Sequence, residues 1–268
     1  MPKISLLIAD VDGTLVTEDK VLTERAQAAV AALHTRNIRF AITSGRPPRG
    51  MSMLVEPLSL TSPMAGFNGG VFACPDLSVL ETRKLSPDVA RQTIEMLQHH
   101  GMDAWLYTST DWQIQKKDAP HVAREAWTVK FEPTVVARYS DQDLDRAVKI
   151  VGVSDDHALV AKCEADVSAA LGDRASAKRS QPYYLDITNP SANKGAVVDE
   201  LVKMFDIAPE EVMTMGDMPN DVLMFKRSGF SIAMGNASDE VKSQASAVTD
   251  GYNDEGFAKA VERYLLNV

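Results

Sequence analysis

Two aspartates separated by one residue, Asp10 and Asp12, end a short apolar run within residues 4–14. An apolar run of this length, closed by Gly13, is typical of a buried strand in a parallel sheet. Ligands of open α/β sheets bind beyond the carboxyl ends of the strands, where both aspartates are expected. Two like charges this close require a cation between them or a shared proton. The pair indicates such a site or, alternatively, a plain acidic turn after a strand.

A second polar group, Thr43, Ser44, Gly45 and Arg46, follows the next predicted strand, residues 38–42. A helix predicted between the two strands makes the connection a right-handed crossover and the sheet parallel. The hydroxyl groups should therefore emerge at the same sheet edge as the first aspartates. A hydroxyl and exposed amides ahead of a helix can bind an oxyanion, although the same four residues alone are a turn signal.

Asn68 follows a third predicted strand, residues 63–67, and precedes a glycine pair that permits a hairpin turn. The asparagine could reach the same edge, but a turn-forming role is the commoner one for this residue type.

Lys194 lies in the first turn of a helix predicted over residues 193–205, where the helix dipole favours acidic side chains. This mismatch indicates a function for the lysine. The strand predicted next, residues 212–215, again ends in an acidic turn. Three side chains of that turn are candidates for the same sheet edge: Asp217, Asn220 and Asp221. Alternatively, Asn220 or Asp221 could cap the helix that follows.

The elements that position these residues fall into two blocks. Residues 1–84 and 187–268 alternate strands and helices as an α/β core does, whereas residues 85–186 read as an inserted α+β domain. One helix of the insert is predicted over residues 118–127. The insert holds all three tryptophans of the chain, Trp105, Trp112 and Trp127.

Composition excludes several classes of protein. The 268 residues are 45% hydrophobic and 24% charged, as in an ordinary globular protein, and the formal net charge of -9 argues against nucleic-acid binding. The two cysteines, Cys74 and Cys163, form no metal-binding or redox spacing. No signal peptide and no membrane-length apolar run is recognisable. A cytoplasmic monomer or homodimer without membrane or nucleic-acid partners is expected.

Taken together, residues 10–14, residues 43–46, Lys194 and residues 216–221 resemble, in this order, the four motifs of the haloacid dehalogenase superfamily. The tail at residues 233–237 is similar to that of its Cof-type (subfamily IIB) hydrolases. The resemblance spans essentially the whole chain. It implies a Rossmann-like parallel-sheet core with an α+β cap inserted between the second and third motifs. One departure is Met218-Pro219, which can alter the shape beside the metal while leaving the ligands in place.

The resemblance implies a Mg²⁺-dependent phosphatase that forms an aspartyl-phosphate on Asp10. Asp12 would protonate the leaving alcohol and then activate water. The implied metal ligands are Asp10, the backbone carbonyl of Asp12, and Asp217. Thr43 would donate to the phosphoryl oxygens, and Lys194 would orient Asp10 while offsetting the acids. The remaining supporting or substrate-binding residues are Ser44, Gly45, Arg46, Asn68, Asn220 and Asp221.

The expected substrate is a small phosphorylated metabolite, a sugar phosphate especially. The cap would carry most leaving-group contacts, and its candidates are Trp105, Tyr107, Trp112, Lys116, Tyr183 and Tyr184. Two alternatives stay open at this point. A phosphomutase would use the same phospho-aspartate, and a receiver-like phospho-switch would use Mg²⁺ and an aspartate without turnover.

Overall fold

Short buried strands alternate with helices along the chain, and the computed structural model describes residues 3–267. The strands of this part, numbered in chain order, are β1 (Leu6–Asp10), β2 (Arg39–Thr43), β3 (Met64–Gly66), β4 (Val71–Ala73), β5 (Val79–Thr82), β6 (Asp103–Tyr107), β7 (Trp112–Ile114), β8 (Thr134–Val135), β9 (Lys149–Val153), β10 (Ser176–Gln181), β11 (Tyr184–Thr188), β12 (Val212–Gly216), β13 (Phe230–Ala233) and β14 (Ala247–Val248).

The helices of the same part of the chain are α1 (Glu24–Thr35), α2 (Pro87–His99), α3 (Val122–Val129), α4 (Asp141–Asp145), α5 (His157–Leu171), α6 (Lys194–Phe205), α7 (Val222–Phe225), α8 (Asp239–Lys242) and α9 (Gly256–Val261). A π-helical turn, Glu262–Leu266, continues α9, and a 3₁₀ helix, Pro48–Leu54, follows β2. No helix within residues 3–267 is long and apolar enough to cross a membrane.

The first sheet has the strand order β14-β13-β12-β1-β2-β3-β4-β5 and is parallel from β14 to β3. The hairpin of β4 and β5 closes it with antiparallel pairs. Strand β1 lies at the centre and is buried along its whole length. Its alternate residues face two separate apolar clusters, one packed against α1 and α9 and the other against α6 and α7. Burial on both faces explains why β1 is a continuous apolar run.

The second sheet has the order β10-β11-β9-β6-β7-β8 and is antiparallel except where β7 meets β8. Helices α2 and α5 cover its outer face through an aliphatic cluster. The inner face is aromatic and packs against α3 and the core residues Phe67 and Val71. The predicted fold class, a parallel α/β core with an inserted α+β cap, is confirmed.

The chain crosses twice between the two sheets, and the crossings run side by side. The side-chain amide of Asn189 donates a hydrogen bond of 2.8 Å to the backbone carbonyl of Lys84. Strand β11 continues to Thr188, past the predicted boundary at residue 186.

The prediction of a helix over residues 118–127 is wrong in position, because α3 covers Val122–Val129. His121 has a φ of 65°, a left-handed conformation that cannot lie inside a right-handed helix. Strands β5 and β8 and helix α4 were not predicted; each is short and largely exposed, so hydrophobic periodicity gives little signal there.

Candidate active site

Asp10 occupies the last position of the central strand, so its carboxylate lies at the carboxyl edge of the sheet. The residue pairs with Thr43 in the register between β1 and β2, as expected for parallel neighbours. Its exposed fraction is 4%, so the charge is almost fully removed from water. A buried carboxylate needs a partner of opposite charge or a metal ion.

Lys194 provides that opposite charge. Asn193 caps α6 by accepting the backbone N–H of Ala196, and this sets the first turn of the helix over the sheet edge. From there the lysine ammonium lies 2.7 Å from Asp10 Oδ1 and also binds Asp221 Oδ1. Burial opposes the charged lysine, but Asp10 and Asp221 raise its pKa above the ordinary value. The lysine therefore remains protonated at the centre of the site.

Asp221 organises the loop that follows β12. Its Oδ2 accepts the backbone N–H groups of Asp217 and Met218 at 2.9 and 2.8 Å, and the side chain is fully buried. A Cβ on Gly216 would lie 2.3 Å from the carboxyl carbon of Asp221, so the close approach needs glycine. Asp221 stands at the start of α7 without capping it. The alternative of a capping role is therefore wrong for Asp221.

Asp217 lies beside Asp10 and is held by two side chains that the sequence analysis did not select. Thr14 Oγ1 donates to Asp217 Oδ1 at 3.3 Å, and Asn236 Nδ2 donates to Asp217 Oδ2 at 3.2 Å and to the carbonyl of Gly13 at 3.0 Å. Asn236 belongs to the segment of residues 233–237 at the end of β13, whose similarity to Cof-type proteins was the available signal. Met218 is half exposed and leaves Asp217 in place.

Three buried carboxylates form a group with excess negative charge. Oxygens of Asp10, Asp217 and Asp221 lie within 4.8 Å of one another. Burial, with repulsion from Asp221 and Asp217, raises the pKa of Asp10 well above its ordinary value, although Lys194 opposes the rise. Burial and repulsion from Asp221 also raise the pKa of Asp217 to about 6. One ammonium facing three carboxylates leaves excess negative charge on oxygen donors, and such a group fits a divalent metal ion.

The carboxylate of Asp12 points away from this group and binds two cations. Arg46 donates to both of its oxygens, at 2.7 and 2.6 Å, and the ammonium of Lys20 lies 2.8 Å away. Burial by itself would raise the pKa of Asp12, but these bonds outweigh it and lower the pKa to about 2. The buried guanidinium also donates to the carbonyl of Thr128 in α3 at 2.8 Å. Arg46 thus joins Asp12 to the cap.

The second polar group reaches the same edge, as the sequence predicted. Ser44 Oγ accepts the backbone N–H of Arg46, and the buried Thr43 hydroxyl has no hydrogen-bond partner within residues 3–267. The side chain of Asn68 lies next to Gly45 and accepts a bond of 3.4 Å from Asn220. Their roles remain predictions, but the structure brings these residues together.

The cap candidates divide into two kinds. Trp105 and Trp112 are buried in the aromatic cluster and present no surface to a ligand. Lys116 is exposed and pairs with Asp103, and Tyr183 stacks on His121 with ring centres 4.0 Å apart.

The parallel sheet, the lysine-bridged carboxylates at its edge and the inserted cap together define a capped hydrolase of the phosphoryl-transfer type. The family model of haloacid dehalogenase-like hydrolases matches residues 7–261, and the chain therefore belongs to this family. With the inserted α+β cap, the predicted Cof-type (subfamily IIB) membership is confirmed.

Similar proteins agree with this assignment. The chain is 25% identical over 263 residues to the 5-amino-6-(5-phospho-D-ribitylamino)uracil phosphatase YcsE of Bacillus subtilis, covering 98% of this chain and 96% of that protein. It is 28% identical over 231 residues to the HMP-PP phosphatase of Cronobacter sakazakii, covering 85% and 83%. A haloacid dehalogenase-like hydrolase from Bacteroides thetaiotaomicron superposes with a TM-score of 0.90 at 25% identity, covering 97% and 99%. The predicted class of enzyme, a phosphoric monoester hydrolase, is confirmed.

Proposed function

We propose that the enzyme is a Mg²⁺-dependent phosphatase of small phosphorylated metabolites, sugar phosphates especially, and that it acts through an aspartyl-phosphate on Asp10. The observation that carries the proposal is the ammonium of Lys194 between Asp10 and Asp221. It holds the Asp10 carboxylate in place at the one sheet edge where the hydroxyls of residues 43–44 also emerge. A positioned carboxylate facing oxyanion-binding groups is what in-line attack on phosphorus requires.

The donor set supports Mg²⁺, a hard cation that prefers oxygen ligands. The residues that would hold it are Asp10, the backbone carbonyl of Asp12, and Asp217, with Asp221 and Asn220 as supports around them. The chemistry that a bound Mg²⁺ supplies is neutralisation of phosphoryl charge, without which a carboxylate and a phosphate dianion repel each other.

Asp10 forms the new bond to phosphorus while the bond to the leaving alkoxide breaks. Asp12 donates a proton to that alkoxide and later takes a proton from the water that hydrolyses the aspartyl-phosphate. The contacts from Arg46 and Lys20 favour charged Asp12, the form needed in the second step. The first step needs protonated Asp12, so one of these cations must leave it when the ester binds.

The phosphoryl oxygens would be bound at the end of β2. Ser44 Oγ accepts one hydrogen bond, so its own proton is available to a ligand, and the Thr43 hydroxyl has an unused donor. Gly45 and Asn68 lie beside them, which supports a place for both in the same oxyanion-binding site.

A phosphate-release screen over a panel of metabolite phosphates, with Mg²⁺ and with EDTA, tests this proposal. We expect Mg²⁺-dependent release from several esters and complete loss of release with EDTA. Undiminished turnover in metal-free buffer would contradict the metal assignment. Transfer of the phosphoryl group to a second sugar, without free phosphate, would identify a mutase instead.

A further inference from the structure

Five polar side chains gather on the inner face of the cap, outside the catalytic residues described above. They come from four elements, β6, α3, β9 and β11, and we call them the cap polar cluster: Tyr107, Glu125, Lys149, Tyr184 and Asp186. Residues 184 and 186 share one face of β11 because successive side chains alternate across a strand. The aliphatic residues that alternate with them, Leu185 and Ile187, face the opposite side, towards α2 and α5.

Two pairs hold the cluster together. Tyr107 donates to Glu125 Oε1 at 2.7 Å, and the ammonium of Lys149 lies 2.6 Å from Asp186 Oδ2. Burial is the main cause of a raised pKa at Glu125.

Two polar atoms of the cluster are left over. The second oxygen of Asp186 and the hydroxyl of Tyr184 are buried and have no hydrogen-bond partner among residues 3–267. Tyr184 is 9% exposed, so water does not compensate at its surface. Buried polar groups in folded proteins are nearly always paired, and two unpaired ones in a single cluster need an explanation.

The cluster lies on the side of the catalytic site where the leaving group must be. The ring of Tyr107 packs on Phe67 of the core, with ring centres 5.5 Å apart, and Phe67 adjoins Asn68. Glu125 lies in the same helix as Thr128, whose carbonyl binds the guanidinium that holds Asp12. Through these contacts the cap polar cluster adjoins the segments that carry Asn68 and the Arg46–Asp12 pair.

The cluster offers more acceptors than donors, and its ammonium and the nearby guanidinium of Arg46 are already paired. Lys149 is engaged by Asp186, and Arg46 is engaged by Asp12. A leaving group with a second phosphate or carboxylate would meet Glu125 and Asp186, and within the five residues of the cluster the one cation, Lys149, is already paired. A hydroxyl group, in contrast, can donate to the free oxygen of Asp186 and accept from Tyr184.

We propose that the cap polar cluster binds hydroxyl groups of the leaving group and selects neutral, polyhydroxylated leaving groups over those with a second anionic group. This inference rests on the proposed phosphatase function and assigns the specificity of that same site.

Three carbon-matched esters test it: ribitol phosphate, pentyl phosphate and ribitol bisphosphate, with phenyl phosphate as a measure of the chemistry alone. The wild-type kcat/KM should be highest for ribitol phosphate. Tyr184→Phe and Asp186→Asn should each lower the ratio of kcat/KM for ribitol phosphate to that for pentyl phosphate by about tenfold or more. Asp166→Asn, which removes a cap carboxylate from α5 that pairs with His100, is the matched control and should keep the wild-type ratio.

If Asp186→Asn fails to fold, Tyr184→Phe is sufficient to test the proposal. The Tyr184 variant should fold, because the substitution removes only an unpaired oxygen. Its melting temperature should stay equal or rise, which a structural role for the hydroxyl would not produce.

A wild-type enzyme that hydrolyses all four esters without preference would overturn the inference and leave the phosphatase function standing. So would ratios unchanged in both cluster variants. No phosphate release from any ester, phenyl phosphate included, would overturn the proposed function and the inference together.

Discussion

The catalytic floor, formed by Asp10, Lys194, Asp217 and Asp221, and the cap polar cluster are both buried and polar, but they differ in how completely they are paired. In the floor Lys194 binds two carboxylates, and Asp221 also accepts two backbone amides. In the cap, one oxygen of Asp186 and the hydroxyl of Tyr184 have no hydrogen-bond partner in the described part of the chain, residues 3–267. This difference indicates that the catalytic floor and the cap polar cluster have different functions. The floor is pre-organised for one reaction, whereas the cap keeps hydrogen-bonding capacity for a ligand.

The largest effect should follow from Asp10→Asn, which keeps size and removes the nucleophile. We expect kcat to fall on the order of a millionfold for every ester, as when other covalent nucleophiles are removed. Steady-state phosphate release measures it. A loss that differed strongly between esters would contradict the comparison, because substrate-dependent effects should belong to the cap.

The two lysines provide a matched test of pairing. Removing Lys194 leaves two carboxylates buried without their cation, so Lys194→Met should lower the free energy of unfolding by about 3–5 kcal/mol. Lys149 has a single partner and is 12% exposed in its side chain, so Lys149→Met should cost only about 1–3 kcal/mol. Urea denaturation of the metal-free proteins measures both values. Equal losses would mean that the cap is as tightly paired as the floor.

A smaller effect is expected on the affinity for Mg²⁺, which should depend on pH through the catalytic floor and not through the cap. The pKa of Asp217 is raised to about 6, so this carboxylate is protonated below that pH, and metal binding must displace the proton. The affinity for Mg²⁺ should therefore fall by up to about tenfold per pH unit as Asp217 becomes protonated below pH 6. Calorimetric titration with Mg²⁺ across this range measures it. Affinity that rises on acidification would exclude Asp217 as a ligand.

The floor could be predicted from the sequence because each of its residues follows directly on a recognisable strand or opens a recognisable helix. Asp10 ends β1, Asp217 follows β12 directly, and Lys194 begins α6. Parallel strands bring their carboxyl ends to one edge, so position along the chain was enough to place them together. Asn236 was missed because it lies in the loop after β13, and nothing local in the sequence indicates that this loop folds back onto Gly13.

The cap polar cluster could not be predicted in the same way. Its pairs join residues far apart in the chain. The alternation of side chains along a strand predicts which face of the sheet a residue lies on, but not which residues pair across neighbouring strands. Nothing near Lys149 in the sequence indicates that β9 lies beside β11, which brings Asp186 within reach. Trp105 and Trp112 stood out as aromatic residues, but they are buried in the aromatic cluster of the same inner face.

The central claim, covalent catalysis by Asp10 with proton transfer by Asp12, is tested most directly by mass spectrometry after a rapid acid quench. Asp12→Asn should slow turnover of alkyl esters by about a hundred- to ten-thousandfold. With phenyl phosphate, whose leaving group departs with little help, this variant should accumulate phosphate on Asp10, because activation of water is lost. Asp10→Asn should carry none. Phosphate on neither variant, with turnover intact in both, would contradict the covalent mechanism, and the opposite pattern would reverse the two roles.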